Sequence, residues 1–414
     1  MKRMTGPFEL KIEKLVYGGE GLGRHAGKVV FVQFSAPGDR LLVRPIEEKK
    51  NFIRAAALEV LEPGPGRQPA PCAHFQSCGG CQWQHLEYRR QVDFKRLILE
   101  DLFHHHFPET RSLLINMRAS PQQYGYRSRA RLHVHGFGEK RRVGFLRFQS
   151  HTIEDIETCP LLRPVLNQAL GAIRLKRLKG EGDQAGRLDV ACSAETGVWG
   201  ATEVQSGLEG ISALSDGGGQ AAEEEILERQ VGEFVYSLTP SVFFQTNDFM
   251  IGQLVEKVEE LTERSGRGAA LDLFCGVGLF SLPLARRFEK VAAVESSPAA
   301  ARFCKVNAAA AGLSNLQVSC ADVVAWMKTV GSLTAPRYDL VVLDPPRVGA
   351  DSEVMNRIAE WAPENVLYVS CDPQTLCRDL ALLVPRHYKI DHIEGMDLFP
   401  QTYHFETIVR LRRR

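Results

Sequence analysis

After about residue 250 the sequence alternates between apolar runs and helix-length segments, and this pattern constrains the fold more than any other feature. Apolar residues at helical spacing between Ile251 and Leu261 come first. The apolar, strand-like runs that follow are ALDLF, KVAAVE, LQVSCAD, YDLVVLDPP and NVLYVSC. Such alternation predicts an α/β domain with a mainly parallel, doubly wound sheet and helices on both faces. Ligands of these sheets bind at the carboxyl ends of the strands, so the residues after each run are the functional candidates.

The 414 residues predict two or three domains at about 150 residues each. Residues 1–61 contain short alternating runs and turn signals typical of a five-stranded barrel of the OB type, with 11 basic and seven acidic residues. Residues 62–71, EPGPGRQPAP, are a Pro/Gly linker. We expect a central α+β domain over 72–238 and the α/β domain over 239–414.

Composition excludes several classes of protein. No apolar stretch reaches about 18 residues, and no apolar segment follows the basic N-terminus, which argues against a membrane span and a secretory signal. The 51 Lys and Arg balance 50 Asp and Glu, so only local basic patches can attract nucleic acid. In an apparently cytosolic chain, ten cysteines are better explained by thiol chemistry or a metal site than by disulfides. We expect a soluble, cytoplasmic, monomeric protein.

A nucleotide-like ligand is indicated after the first strand of the α/β domain. Gly276 and Gly278 allow a tight turn and close backbone approach, whereas Ser281 stands where a dinucleotide fingerprint has a third glycine. Glu295 ends the next strand, where a carboxylate can accept both hydroxyls of a ribose. A plain strand-to-helix turn is the alternative. A cofactor with adenosine but no pyrophosphate fits best, and S-adenosylmethionine is the candidate.

Two later strand ends carry a possible nucleophile and a possible base. Cys371 ends the fifth strand, before a helix that starts at Pro373 and whose N-terminus would favour a thiolate. Residues 403–412 predict an edge strand whose polar start brings His404 and Glu406 to the same crevice. An inert packing cysteine and an exposed edge carboxylate are the alternatives.

These groups suit one reaction. Carbon 5 of uracil is too weakly nucleophilic to take a methyl group directly from a sulfonium. A thiolate that adds to carbon 6 makes carbon 5 nucleophilic, and a base then removes the carbon-5 proton. Asp344, in the run Asp344-Pro-Pro-Arg347, can orient the uracil edge or the donor. Arg347 replaces the aromatic residue that amino-directed methyltransferases often have there, which disfavours methylation of an exocyclic amine.

In these motifs the sequence resembles the S-adenosylmethionine-dependent RNA uracil-C5 methyltransferases, over essentially the whole chain. SVFFQTN (241–247), LDLFCGVG, AAVES, LDPPR, YVSCDP and a terminal HFE occur in the family's order. The resemblance implies an N-terminal TRAM domain that binds RNA, Cys371 as nucleophile and Glu406 as base. It implies 23S rRNA as substrate, with tRNA second. The residues expected to hold the donor are Gln245, Phe274, Gly276, Gly278, Glu295, Asp322 and Asp344.

Four cysteines, Cys72, Cys78, Cys81 and Cys159, have spacing that suits either structural zinc or an iron–sulfur cluster. The resemblance implies a 4Fe–4S cluster, because CGGCQWQH and ETCPL match the flanks of the family's ligands. The reaction above needs no redox step. We therefore expect a structural role for the cluster, ordering an RNA-binding surface.

A basic segment with tyrosines predicts RNA contacts in the central region. Arginines at alternate positions would share one face of a strand and bind phosphates, while a tyrosine stacks on an unpaired base. The candidates are Tyr124, Arg127, Arg129, Arg131 and Arg147.

Two other functions remain open from the sequence. The first is a non-catalytic RNA-binding protein of the same fold. Loss of Cys371 or Glu406 would indicate that function, and both residues are present. The second is a DNA cytosine-C5 methyltransferase, in which the nucleophile usually follows a proline, whereas Ser370 precedes Cys371 here.

Overall fold

A computed structural model describes residues 6–136, 141–175, 185–193, 197–205, 213–215, 225–263, 265–330 and 337–414. Over these ranges the strands form a closed barrel, a six-stranded sheet, a hairpin and an eight-stranded sheet. No helix in the same ranges combines the length and apolarity that crossing a membrane requires.

The barrel confirms the fold predicted for the N-terminal region. Its strands are β1 (Phe8–Leu15), β2 (Gly21–His25), β3 (Lys28–Val32), β4 (Arg40–Glu48) and β5 (Phe52–Glu62). The strand order is β1-β2-β3-β5-β4, and β1 closes the barrel by pairing with β4. Alternate residues such as Leu10, Ile12, Val30, Val32 and Leu41 fill the interior, because successive side chains of a strand point to opposite faces.

The central region contributes a helix and a second sheet. Its elements are α1 (Tyr88–His106), a 3-10 helix (Pro108–Ser112), β6 (Asn116–Arg118), β7 (Arg129–His135), β8 (Arg142–Leu146), β9 (Ile153–Asp155), α2 (Pro164–Leu175), β10 (Ala185–Cys192), β11 (Trp199–Gln205), β12 (Ala213–Ser215), β13 (Leu227–Val231) and β14 (Phe234–Leu238). The second sheet has the order β12-β11-β10-β7-β8-β9, and α2 packs on it.

The C-terminal region forms the parallel sheet predicted from the apolar runs. Its helices are α3 (Asp248–Thr262), α4 (Ser281–Arg287), α5 (Pro298–Ala310), α6 (Val323–Val330), α7 (Ser352–Trp361) and α8 (Pro373–Leu380). Its strands are β15 (Ala269–Leu273), β16 (Lys290–Glu295), β17 (Leu316–Cys320), β18 (Leu340–Leu343), β19 (Asn365–Ser370), β20 (Tyr388–Met396) and β21 (Glu406–Arg413). The order is β17-β16-β15-β18-β19-β21-β20-β6, with the first five strands parallel.

The prediction that the last strand lies at the sheet edge is wrong. β21 lies between β19 and β20 and is antiparallel to both. β6 of the central region extends the sheet by pairing with β20. In addition, the β13–β14 hairpin packs in the same hydrophobic cluster as α3 and the parallel strands. Packing therefore crosses the boundary expected near Leu238, and the sheet is completed by residues from both sides of it.

A buried ion pair joins α1 to the segment before β21. Lys95 and Asp397 have fully buried side chains, and the Lys95 Nζ lies 2.6 Å from an Asp397 carboxylate oxygen. The Lys95 Nζ also donates to the carbonyl of Phe399 at 3.1 Å. Burial lowers the pKa of Lys95, while the Asp397 charge opposes that shift. The pair fixes α1 against the segment that leads to Glu406.

We predict that Lys95→Ala lowers the free energy of unfolding by about 3–5 kcal/mol, because it leaves the Asp397 charge buried without its counter-ion. Urea denaturation followed by circular dichroism measures the change. The matched control is Lys14→Ala, which removes an exposed pair with Asp101 and should change stability by at most about 1 kcal/mol. Equal effects of the two variants would contradict a structural role for the buried pair.

Candidate active site

The turn after β15 has the conformation that a closely approaching ligand needs. Phe274, Gly276 and Gly278 have φ angles of +64°, +55° and +96°, all in the left-handed region. A Cβ on Gly278 would lie 2.7 Å from a methyl carbon of Leu282, so the turn requires glycine there. A Cβ on Gly276 would meet no atom within 4 Å, which leaves room for a ligand beside that backbone.

Two carboxylates support this turn. Glu295 accepts hydrogen bonds from the main-chain N–H groups of Gly276 at 2.9 Å and Ser297 at 2.7 Å, and the residue remains partly exposed at the strand end. Asp272 is buried and accepts from the Ser281 hydroxyl, while its other oxygen has no hydrogen-bond partner among the described residues. Burial and the Glu295 charge raise the pKa of Asp272 to about 7. Room beside Gly276 and an unpartnered carboxylate oxygen fit an adenosine-bearing donor.

A cleft of about 680 Å³ extends from this turn along the carboxyl edge of the sheet. Phe274, Asp322 and Val348 are among the residues that line it. Asp322 is exposed at the start of α6, where its carboxylate accepts from the N–H of Ala325 at 3.0 Å. Gln245 is buried in the segment before α3. Phe274 and Asp322 therefore share one cleft, which does not include Gln245.

The sheet register brings the expected nucleophile and base together. β19 and β21 are antiparallel, and Ser370 pairs with Thr407. Cys371 follows Ser370 and Glu406 precedes Thr407, so the two residues face each other across the strand ends. Asp344 follows the neighbouring strand β18, whose Leu343 pairs with Tyr368. Three groups that are distant in sequence thus meet at the carboxyl edge.

The electrostatics of this edge reverse the expectation of a stabilised thiolate. Burial, and then the charge of Glu406, raises the pKa of Cys371 to about 12. α8 does begin at Pro373, but Asp372 caps it and accepts from the N–H groups of Gln374 at 2.9 Å and Thr375 at 3.2 Å. The helix N-terminus is therefore satisfied by a carboxylate, and the thiol is protonated at neutral pH.

The two acids at the edge also hold protons more tightly than usual. Burial and the charge of Asp272 raise the pKa of Asp344 to about 7. Glu406 is buried, one of its oxygens has no hydrogen-bond partner within the described chain, and burial followed by the Asp344 charge raises its pKa well above the ordinary value. The Arg347 charge lowers the pKa of both Cys371 and Glu406. Arg347, noted in the sequence only as the replacement of an aromatic residue, thus contributes a positive charge to the site.

The four predicted metal-ligand cysteines lie around one small cavity of about 40 Å³. Cys72, Cys78, Cys81 and Cys159 line it. Burial raises the pKa of Cys78 to about 11 and of Cys81 to about 12, and in both cases neighbouring cysteines of the group add to the shift. In the described part of the chain, no three His, Cys, Asp or Glu side chains are arranged to hold a single metal ion.

Two of the three arginines predicted to share one strand face, Arg129 and Arg131, do so, because β7 begins at Arg129. Arg127 precedes the strand and lines the cysteine cavity, where its charge lowers the pKa of Cys81. Arg129 donates to the main-chain carbonyls of Val242 at 2.8 Å and Phe244 at 3.3 Å. Both guanidinium groups are engaged in internal contacts that sequence spacing does not reveal.

The remaining RNA candidates differ in exposure. Arg131 is half-exposed and forms a 2.7 Å ion pair with Asp189, and Arg147 is half-exposed and lies 3.0 Å from Glu154. Tyr124 packs partly buried against the cluster of apolar residues that includes Cys81.

A basic cleft of about 550 Å³ on the second sheet was missed by sequence reasoning. His133, His135, Arg142, His151 and Arg187 are among its lining residues. Arg187 of β10 pairs with His133 of β7, which brings distant basic residues together. The run HVH at 133–135 was the local signal that could have indicated it.

Comparison with known proteins identifies the family of the chain. The protein family described as "tRNA (Uracil-5-)-methyltransferase" matches residues 220–414, and the TRAM domain family matches residues 7–58. A 23S rRNA (uracil(1939)-C(5))-methyltransferase, RlmD, of Shewanella amazonensis is 33% identical, with 98% of this chain and 95% of that protein covered. The RlmD protein of Alkalilimnicola ehrlichii is 32% identical, with 98% and 97% covered.

Among solved structures, the Pyrococcus abyssi tRNA (uracil-54, C5)-methyltransferase in complex with S-adenosyl-L-homocysteine shares the fold with a TM-score of 0.73. It is 24% identical, and the match covers 98% of this chain and 100% of that one. Relatives above 30% identity that cover nearly the whole chain show its family, and the two matching regions agree with them. The chain belongs to the S-adenosylmethionine-dependent RNA uracil-C5 methyltransferases.

Proposed function

We propose that this enzyme methylates carbon 5 of a uridine in 23S rRNA through a covalent bond between Cys371 and carbon 6 of the base. The observation that carries the mechanism is the register of β19 and β21, which sets Cys371 opposite Glu406. The two relatives described as 23S rRNA enzymes support the substrate. tRNA is the second candidate, since the solved tRNA enzyme shares the fold.

The proposed reaction forms and later breaks a bond to the Cys371 sulfur, and it breaks the bond between sulfur and methyl in the donor. The Cys371 thiolate adds to carbon 6, and the ring electrons move onto carbon 5 and the carbon-4 carbonyl oxygen. S-adenosylmethionine supplies an electrophilic methyl group, which carbon 5 takes, with S-adenosylhomocysteine as the leaving group. The Glu406 carboxylate then removes the carbon-5 proton, the carbon 5–carbon 6 double bond reforms and the thiolate is expelled.

The raised pKa values support an assignment of the proton transfers to particular groups. A thiol with a pKa near 12 is almost wholly protonated at pH 7, so its proton must be accepted as the sulfur attacks. Asp344, whose pKa is about 7, is matched to accept a proton at neutral pH. We assign the thiol proton to Asp344 and the carbon-5 proton to Glu406. Glu406 must lose its own proton to solvent before that step, and the Arg347 charge favours the ionised forms of both Cys371 and Glu406.

For the methyl donor we propose a site along the same edge. Glu295 would accept the ribose hydroxyls, and the backbone at Gly276 and Gly278 would allow the ligand to approach closely. Phe274 and Asp322 would line the cleft beside it. The family resemblance implies that Gln245 and Asp344 also hold the donor, and we place Asp344 next to the transferred methyl group.

We further propose that the four-cysteine cavity holds a 4Fe–4S cluster. Support comes from the convergence of Cys72, Cys78, Cys81 and Cys159 around one small cavity and from the nearby positive charge of Arg127, which favours thiolates. When bound, the cluster would supply structural cross-links, since the reaction transfers no electrons. Structural zinc is the alternative.

RNA binding is proposed for two surfaces. The barrel carries the TRAM match. The basic cleft on the second sheet, lined by residues of β7, β8, β9 and β10, offers imidazole and guanidinium groups to phosphates. Arg131 and Arg147, which are half-exposed, extend the candidate contacts, with Tyr124 beside the cysteine cavity. A cytoplasmic location and a monomeric state remain predictions.

Glu406→Gln should trap the enzyme on its RNA, because the amide cannot remove the carbon-5 proton and the thiolate is not expelled. A protein–RNA adduct of reduced mobility is expected on a denaturing gel after incubation with 23S rRNA and donor. Cys371→Ala combined with Glu406→Gln is the control and should form none. An adduct that persists without Cys371 would contradict its assignment as nucleophile.

Deletion of the gene should remove 5-methyluridine from one or two positions of 23S rRNA while leaving tRNA unchanged. Mass-spectrometric mapping of both RNAs, with complementation by the wild type and by Cys371→Ala, measures this. Restored methylation by the wild type alone is expected. Loss of the modification from tRNA instead would transfer the proposal to the second substrate.

Anaerobically purified protein should be brown and contain about four iron and four sulfide per chain, as expected for a 4Fe–4S cluster. Cys81→Ser should lose the colour, whereas Cys377→Ser, which changes a buried cysteine of α8 outside the cavity, should retain it. Colourless protein with stoichiometric zinc would overturn the cluster assignment.

A further inference from the structure

The first turn of the barrel reaches the active site of the methyltransferase region. Residues 16–20 join β1 to β2, and Tyr17 projects from this turn. Its hydroxyl donates a hydrogen bond to the main-chain carbonyl of Cys371 at 3.3 Å. Its ring packs edge-on against Tyr403 and Phe405, at centroid distances of 5.4 and 6.1 Å. One side chain from the barrel therefore contacts the segments that carry both the nucleophile and the base.

The turn is held closely in this position. Gly18 and Gly19 have φ angles of +103° and +85°, which favour glycine. A Cβ on Gly19 would lie 3.0 Å from a ring carbon of Tyr403. The Gly19 carbonyl accepts a hydrogen bond from the Trp83 indole at 3.2 Å. The barrel turn is thus anchored on two sides, and Tyr17 has little freedom to move away.

Burial keeps the Tyr17 hydroxyl a donor. Burial, and then the Asp372 charge, raises the pKa of Tyr17 above its usual range, so the phenol stays protonated. Asp372 in turn caps α8 directly after Cys371. The hydroxyl is therefore placed to hold the main chain at the start of that helix, on which the direction of the Cys371 sulfur depends.

We propose that Tyr17 is a positioning residue for methyl transfer, so that the barrel completes the active site as well as serving RNA binding. Tyr17 would fix the Cys371 backbone relative to the Tyr403–Phe405 segment and thereby hold the sulfur and the carboxylate in position at the uracil. The inference rests on the proposed function, in which Cys371 is the nucleophile.

The test uses the full-length enzyme and 23S rRNA transcribed with 5-fluorouridine in place of uridine. Fluorine at carbon 5 cannot be removed as a proton, so a methylated covalent adduct accumulates without the step assigned to Glu406. Tyr17→Phe keeps the ring contacts and removes only the hydroxyl. We expect its single-turnover rate of adduct formation at saturating RNA to fall by about three- to tenfold, the effect of one lost hydrogen bond.

The matched control is Tyr388→Phe, which removes another tyrosine hydroxyl bonded to a main-chain carbonyl, that of Pro363 at 2.8 Å, in the same sheet. We expect Tyr17→Phe, but not this control, to slow adduct formation, with the dissociation constant for RNA in filter binding unchanged. An unaltered saturating rate, or a defect confined to RNA affinity, would overturn the proposal. If the wild type forms no adduct, the covalent mechanism itself is contradicted.

Discussion

The antiparallel pairing of β21 with β19 is the constraint on which the rest of the site depends. By inserting β21 between β19 and β20, the fold places Glu406 opposite Cys371 at an edge that the parallel strands also supply with Asp344. Burial of the charged forms of Asp344 and Glu406 close to other acids is unfavourable, and it therefore raises the pKa of both groups. The same burial makes the carboxylates stronger proton acceptors, which is what the proposed chemistry requires.

Such a site needs rigid support, and three parts of the chain converge on the segment that precedes Glu406. Lys95 of α1 holds Asp397, and Gln91 of the same helix accepts a hydrogen bond from the Gln401 N–H at 2.9 Å. The Gln401 carbonyl accepts from the N–H of Trp83 at 3.0 Å, in the cysteine-rich segment. The barrel adds Tyr17. The proposed cluster would therefore order the chain only a few residues away from the base.

Sequence reasoning succeeded where local pattern decides the structure. The apolar runs predicted the parallel strands and the position of Cys371 directly after one of them, because both follow from the local pattern of residues. Sequence reasoning failed where contacts between residues distant in sequence determine the structure. Burial, and then the charges of Glu406 and Asp344 from other strands, raise the pKa of Cys371 and so oppose the expected thiolate. Strand order moves β21 from the edge to the interior, and the main-chain carbonyls of residues 240, 242 and 244 accept hydrogen bonds from Arg129. Tyr17 carries no local signal at all, since its partner is 354 positions away.

Arg347 links the electrostatics of the site to the type of methylation that the enzyme carries out. An aromatic residue at that position would stack on a base whose exocyclic amine is the nucleophile, and no thiolate would be needed. A guanidinium instead lowers the pKa of Cys371 and Glu406, the two groups that must each be an anion at one stage. The Arg347 side chain is exposed, so a nucleotide that packs against it would exclude water from the guanidinium. Its charge would then act through a lower dielectric, and stabilisation of the thiolate would increase when the target base is in place.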